Sequence, residues 1–217
     1  MPEDLAARRL RAFFVGTETS RNPLVPKLQA LGKQLAAEGL SDGPGVLSAR
    51  YGKRVIITTG GSLLHQLKET DFVEIVDYDA QKNRCLLMGK AEPTADAGIH
   101  WLIYQNREEV GGIVHVHDPM VMEVNEATQL FPETKEAKPS GSVELAVEAL
   151  KLLRKSPYFV LKGHGCVAVG KTLEEALAVA AKAKEQALAI IQEAEGMGDE
   201  PPEDVDDLPP PPPPRRR

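Results

Sequence analysis

The sequence predicts an α/β domain of three layers, in which a central, mostly antiparallel sheet is flanked by helices, and three observations carry that prediction. Short β-branched and apolar runs recur between turn-forming Gly, Asp, Asn and Lys residues, the pattern of strands. Apolar residues at three-to-four spacing mark amphipathic helices before, among and after those runs. The two patterns do not alternate as regular βαβ units, so the strands are expected to pair largely antiparallel under a cover of helices. The 217 residues suffice for one well-buried domain and are short for two, given ~100–200 residues per domain.

Residues 1–22 lack a sustained period and read as an N-terminal arm that packs on a neighbouring subunit. From Pro23 to about Glu38, Leu24, Leu28, Leu31 and Leu35 define the buried face of a helix that stops at Gly39. VIIT at 55–58, FVEIV at 72–76 and CLLM at 85–88 are strands. Helical spacing returns over 95–106 through Ile99, Leu102 and Ile103, and GIVHV at 112–116 is another strand. A helix at 143–154, strands at 158–161 and 166–169, and a long helix from Leu173 to about Glu195 complete the domain, whose span is 23–197. Thr172 and Glu175 have the spacing of a capping box at the start of that last helix. The segment 198–217 passes from acidic residues into a proline run and three arginines, cannot bury a core, and is expected to be a disordered or semi-rigid tail.

Composition removes several function classes. With 42% hydrophobic and 27% charged residues the chain is ordinary for a globular protein, and no apolar run approaches the ~20 residues of a membrane helix. The amino terminus has charge among its apolar residues and no small-residue cleavage site, so a cytoplasmic location is expected. Cys85 and Cys166 are too few for a disulfide framework or a cysteine-ligated zinc, and are expected as buried, reduced thiols. A formal charge of −6, with no dense basic stripe outside Arg215, Arg216 and Arg217, argues against nucleic acid and for a small-molecule partner.

Chemistry concentrates in the histidines. His115 and His117 lie in GIVHVHDP at the end of a predicted strand, where alternate residues project to one face and both imidazoles can point at one ion. Neutral imidazole suits zinc and other first-row divalent ions, although such a pair also occurs incidentally on surfaces. His164, in LKGHGCVAVG, sits between two glycines and two predicted strands, where it is either a third ligand or a turn histidine in solvent. Three histidines with an open fourth position form a catalytic rather than a structural metal site.

Together with GVLSAR at 45–50, ITTGGSLLHQLKETD at 57–71, EPTADAGIHWLIYQNREEVGGIVHVHDP at 92–119, PSGSVELA at 139–146 and LKGHGCVAVGKTLEEAL at 161–177, these motifs resemble the class II aldolase and adducin head-domain family over residues 24–195. That family includes fuculose-phosphate-type aldolases, ribulose-phosphate 4-epimerase and methylthioribulose-phosphate dehydratase. The resemblance implies that His115, His117 and His164 bind a divalent ion, zinc first, with manganese or cobalt as alternatives. It implies for Asp96, which stands where many relatives have the acid of Ser-Ser-Glu, an acid/base role or an additional place on the metal. Aspartate there also suits a helix N-cap. His100, one helical turn on, is expected to be structural and to bond to Asp96.

The resemblance further implies substrate contacts at Gly45, Val46, Thr59, Gly60, Gly61, Thr94 and Ala95. Phosphate-binding relatives carry polar donors where this chain has Val46, Gly60 and Ala95, so a buried phosphate would rest on backbone amides around Gly45, Thr58, Thr59, Gly60 and Gly61. Ser48 and Arg50 match the family and serve equally well as packing and surface charge. The activity implied is reversible aldol cleavage of a sugar, sugar phosphate or hydroxy-keto compound through an enediolate. Epimerisation or ketose dehydration on the same site, and a non-catalytic adducin-like binding module, are the alternatives. The family's fourfold rings imply a homotetramer with sites at subunit boundaries, to which Tyr51, Tyr104 or Tyr158 would be candidate contributors, although packing explains them as well.

Overall fold

The computed structural model describes residues 10–41 and 43–196. Residues 1–9 of the expected arm and the expected proline-rich tail lie outside the described residues. Eight strands among the described residues form one sheet: β1 (Arg11–Gly16), β2 (Gly45–Tyr51), β3 (Arg54–Thr58), β4 (Phe72–Asp79), β5 (Arg84–Met88), β6 (Gly112–Val116), β7 (Tyr158–Leu161) and β8 (Gly165–Gly170). Their order is β1-β5-β4-β3-β2-β6-β8-β7, and every neighbouring pair is antiparallel except β1 on β5. The helices are α1 (Val25–Ala37), α2 (Ala97–Asn106), α3 (Pro119–Thr128), α4 (Val143–Leu153) and α5 (Leu173–Gly196).

The period of two along the strands separates two apolar layers. Leu47, Ile56, Val114 and Val116 face α1, α3 and α5, while Val46, Ile57, Ile113 and Val167 face α2 and α4. The predicted three-layer, mostly antiparallel α/β fold is the fold observed. Leu28, Leu35, Leu47 and Ile56 in one layer and Ile57, Ile75 and Phe159 in the other are fully buried, each contributing about 1.5–3 kcal/mol relative to exposure. Cys85 and Cys166 are buried free thiols, and burial raises both, to about 12 and about 11. No helix among the described residues is long and apolar enough to cross a membrane.

Four parts of the sequence reading need correction. Within the expected arm of residues 1–22, Arg11–Gly16 is a strand of the chain's own sheet. Its apolar residues Phe13, Phe14 and Val15 are exposed on the sheet edge, so no inward-outward alternation marks it. Gly45–Tyr51 is a central strand, hidden in the sequence by the polar Ser48, which is fully buried and hydrogen-bonded. Between β6 and α4, α3 begins with Asp118 as N-cap, its side chain accepting from the Val121 amide, and with Pro119 in the first turn. At α5 the Thr172 hydroxyl accepts from the Glu175 amide, while the Glu175 carboxylate takes the amide of Lys171, one residue before the expected reciprocal partner.

Candidate metal centre

β6 delivers the first ligand from the middle of the sheet. His115 lies opposite Val46 on β2 and Val167 on β8, so its ring stands on the α2 side, fully buried. His117, two residues on and just past the strand end, points to the same side and is exposed. The following residue anchors this corner: the Asp118 carboxylate caps α3 through one oxygen and meets Lys184 of α5 through the other at 3.1 Å.

His164 comes from the turn joining β7 to β8. Gly163 has φ +67°, a conformation that glycine alone adopts without cost, and the His164 amide closes the turn on the Leu161 carbonyl at 2.9 Å. The ring centroids of His115, His117 and His164 are 5.1–5.7 Å apart. Gly165 allows this convergence, because a Cβ there would come 2.7 Å from His117 Cδ2, 2.9 Å from the Val116 carbonyl oxygen and 3.1 Å from His115 Nε2.

Asp96 immediately precedes α2, and its side chain makes no cap hydrogen bond to that helix. It turns into the site. Its Oδ2 is 3.0 Å from His164 Nε2, and its Oδ1 accepts from Ser140 Oγ at 2.9 Å and from the Gly141 amide at 3.3 Å. Gly141 has φ +74°, and a Cβ on it would press 2.7 Å from the Ala95 carbonyl. The 139–142 turn can therefore close over Asp96 only with glycine at that place.

Electrostatics divide the roles. Burial works against the charged form of Asp96, but the His164 hydrogen bond, the surrounding His115 and His164 and the Ser140 hydroxyl outweigh it, holding the carboxyl well below the usual range. His164 is raised by its bond to Asp96, against the opposing pull of burial. Burial lowers His115 to about 3 despite Asp96. It also lowers His117, with His164 adding to the effect. At neutral pH the site thus holds an ionised carboxylate and at least two neutral imidazoles, the protonation states that a divalent cation requires.

The residues fit such an ion. One ligand atom each from His115, His117 and His164 lies within 4.8 Å of the others. Nitrogens bound at ~2 Å to a common ion stand no more than about 4 Å apart, so the imidazoles need draw in only slightly. Both ring nitrogens of His115 are buried with no hydrogen-bond partner among the described residues, a costly arrangement for an imidazole that binds nothing. The set is buried at His115 and open at His117, which suits a catalytic site.

The expected substrate contacts frame this centre unevenly. Gly45 and Val46 lie beside His115 through the sheet register. Thr59 bridges to Pro93, and a Cβ on Gly60 would be 3.7 Å from Thr94 Cα, so the 59–61 turn sits against the segment leading to Asp96. Gly60, Gly61 and Ala95 are exposed. The hydroxyls of Thr58, Thr59 and Thr94 already engage the Leu47 amide, Ser62 and the Asp96 amide. His100 does not bond to Asp96 through its side chain; its Nδ1 lies 2.7 Å from Ser48 Oγ, which is 2.9 Å from Tyr104 Oη. Arg50 is likewise committed inward, donating to the carbonyls of Tyr104, Arg107 and Val110. Tyr104 and Tyr158 are buried, and Tyr51 is exposed. Ser140, Gly141 and Gly165 join the site beyond the residues the sequence singles out, and all three fall within the motifs at 139–146 and 161–177.

Residues 26–190 match the family described as Class II Aldolase and Adducin N-terminal domain. The L-fuculose phosphate aldolase of Methanocaldococcus jannaschii is 31% identical over 156 residues, covering 66% of this chain and 81% of that protein. The 5-methylthioribulose-1-phosphate/5-deoxyribulose-1-phosphate aldolase of Rhodospirillum rubrum is 26% identical over 170 residues, 71% of this chain and 74% of that one. Among solved structures, an L-fuculose 1-phosphate aldolase superposes with a TM-score of 0.68 at 22% identity, covering 87% of this chain and 95% of its own.

Proposed function

The chain belongs to the class II aldolase and adducin N-terminal domain family, and from that premise we propose that it is a divalent-metal-dependent aldolase, a carbon–carbon lyase acting on a sugar, sugar phosphate or hydroxy-keto compound. The observation that carries the reading is the convergence of His115, His117 and His164 beside an ionised Asp96 hydrogen-bonded to His164. A zinc, manganese or cobalt ion held by His115, His117 and His164 would supply Lewis acidity for the negative charge that develops as the carbon–carbon bond breaks.

The chain's own residues account for the proton. In the cleavage direction the ionised Asp96 carboxylate takes the proton of the substrate hydroxyl, whose carbon becomes an aldehyde, and the bonding electron pair passes to the ketone fragment. That fragment then gains a proton on carbon, delivered by the carboxyl so formed on Asp96. In the condensation direction the same carboxylate, held ionised by His164 and Ser140, removes the proton. The two donors on Oδ1 from Ser140 and Gly141 keep the carboxylate from rotating into the cap position. Val46, the Thr59–Gly61 turn and Thr94–Ala95 form the proposed substrate wall. It offers backbone and apolar contacts rather than a charged side chain, so unphosphorylated substrates belong in the test beside sugar phosphates. The proposed assembly is a homotetramer.

Aldehyde release from a panel of ketoses, ketose 1-phosphates and hydroxy-keto acids, with and without a chelator, tests the reading. Cleavage that the chelator abolishes and a divalent ion restores supports it. A fully metal-loaded protein inert on the whole panel overturns it.

A further inference from the structure

Behind the three proposed ligands lies a fourth imidazole that the proposed chemistry leaves idle. His100 on α2 is fully buried, as is His115, and their rings are 5.9 Å apart and 23° from parallel. One edge of His100 is anchored: Nδ1 is 2.7 Å from Ser48 Oγ, and Ser48 Oγ is 2.9 Å from Tyr104 Oη. Its other nitrogen, Nε2, is buried with no partner among the described residues.

His115 has the complementary problem. Its Nε2 is the nitrogen beside Gly165, the glycine that also lies against His117. Coordination through Nε2 leaves the proton on Nδ1, and a ligating imidazole almost always donates that second N–H to a fixed acceptor. His115 Nδ1 is buried and lacks one among the described residues. Two unpartnered nitrogens on neighbouring buried rings, each costing about 1–3 kcal/mol if left so, can be joined by one bridging water if His100 Nε2 accepts.

We propose that His100 is a positioning residue for the metal centre: its Nε2 accepts, through one buried bridging water, the hydrogen bond that His115 Nδ1–H donates, and it is itself oriented by Ser48 and Tyr104. This requires His100 to carry its proton on Nδ1 and donate it to Ser48 Oγ, whose own hydrogen then points to Tyr104 Oη. A purely packing role would need only the ring. The inference rests on the three-histidine reading of the metal site.

The experiment uses the full chain with zinc. Affinity is measured by competition with a chromophoric chelator for the wild type, His100→Phe, His100→Gln and Ser48→Ala, and ¹⁵N-histidine NMR of the zinc-loaded wild type reports the tautomers. His100→Phe, which keeps a ring without a nitrogen, is expected to bind zinc about 10–100-fold more weakly. His100→Gln, which restores an acceptor, should recover part of the loss, and Ser48→Ala should lose several-fold. The NMR spectrum should show Nδ1-protonated His115 and His100 with Nε2 unprotonated. Wild-type affinity in His100→Phe, or an Nε2-protonated His100 in the zinc-loaded protein, overturns the proposal and leaves the metal site standing. Failure of the wild type to bind zinc removes both. Should His100→Phe not fold, Ser48→Ala and the wild-type NMR decide.

Discussion

Gly165→Ala tests how closely the ligands are packed. The added Cβ would sit 2.7 Å from His117 Cδ2, 2.9 Å from the Val116 carbonyl oxygen and 3.1 Å from His115 Nε2. Ordinary contacts begin near 3.4 Å, so two candidate ligands and one backbone atom of the sheet must yield by about 0.3 to 0.7 Å. Overpacking of this kind costs about 1–3 kcal/mol of stability. The metal should suffer more, because ligand distances are tolerated only within about ±0.2 Å. We expect zinc affinity to fall at least about tenfold in chelator competition, with a modest drop in the apo-protein melting temperature. Gly43→Ala is the control, since a Cβ there meets nothing within 4 Å. If Gly165→Ala binds zinc as tightly as the wild type, the three histidines do not share an ion at the place assigned to them.

Two further substitutions probe the proton and the scaffold. Asp96→Asn keeps the shape but removes the charge opposite His164 and turns an amide group toward its donors, so kcat should fall about 10²–10⁴-fold while metal content, measured in parallel, stays near one per chain; activity within a few-fold of wild type would remove Asp96 from the chemistry. Arg50→Lys removes the guanidinium that donates to all three carbonyls of Tyr104, Arg107 and Val110 and puts a single ammonium in its place. It should cost about 2 kcal/mol, read as a lower urea midpoint at unchanged m; an unchanged midpoint would mean solvent replaces those bonds freely.

What could be read in the sequence follows from how local each signal is. His115 and His117 were legible because strand alternation alone puts them on one side, and the GIVHV run marks the strand. The helix face of Leu28, Leu31 and Leu35 was legible for the same reason, its period surviving intact into the core. Asp96 was legible as a candidate, but its choice between cap and site was not. That choice is made by Ser140 and Gly141, 44 and 45 residues away, which reach it through a turn only glycine can close. His100 was placed next to Asp96 by helix spacing, yet its ring goes to Ser48 on β2, a pairing across 52 residues that helix geometry cannot anticipate. β1 escaped because it lies on the sheet edge beside a parallel partner, where exposure of Phe13, Phe14 and Val15 erases the alternation that identifies a half-buried strand. α3 carried a usable signal in Asp118-Pro119, a side-chain cap followed by a proline whose missing amide costs nothing in the first turn.

The central claim is that His115, His117 and His164 hold one divalent ion. Elemental analysis of the full chain purified after growth with zinc and manganese, repeated for His115→Ala, His117→Ala and His164→Ala with circular dichroism to establish folding, addresses it most directly. The account predicts close to one divalent ion per wild-type chain and its loss from each folded variant. A folded wild-type chain without a divalent ion, or variants that retain it in full, would contradict the account.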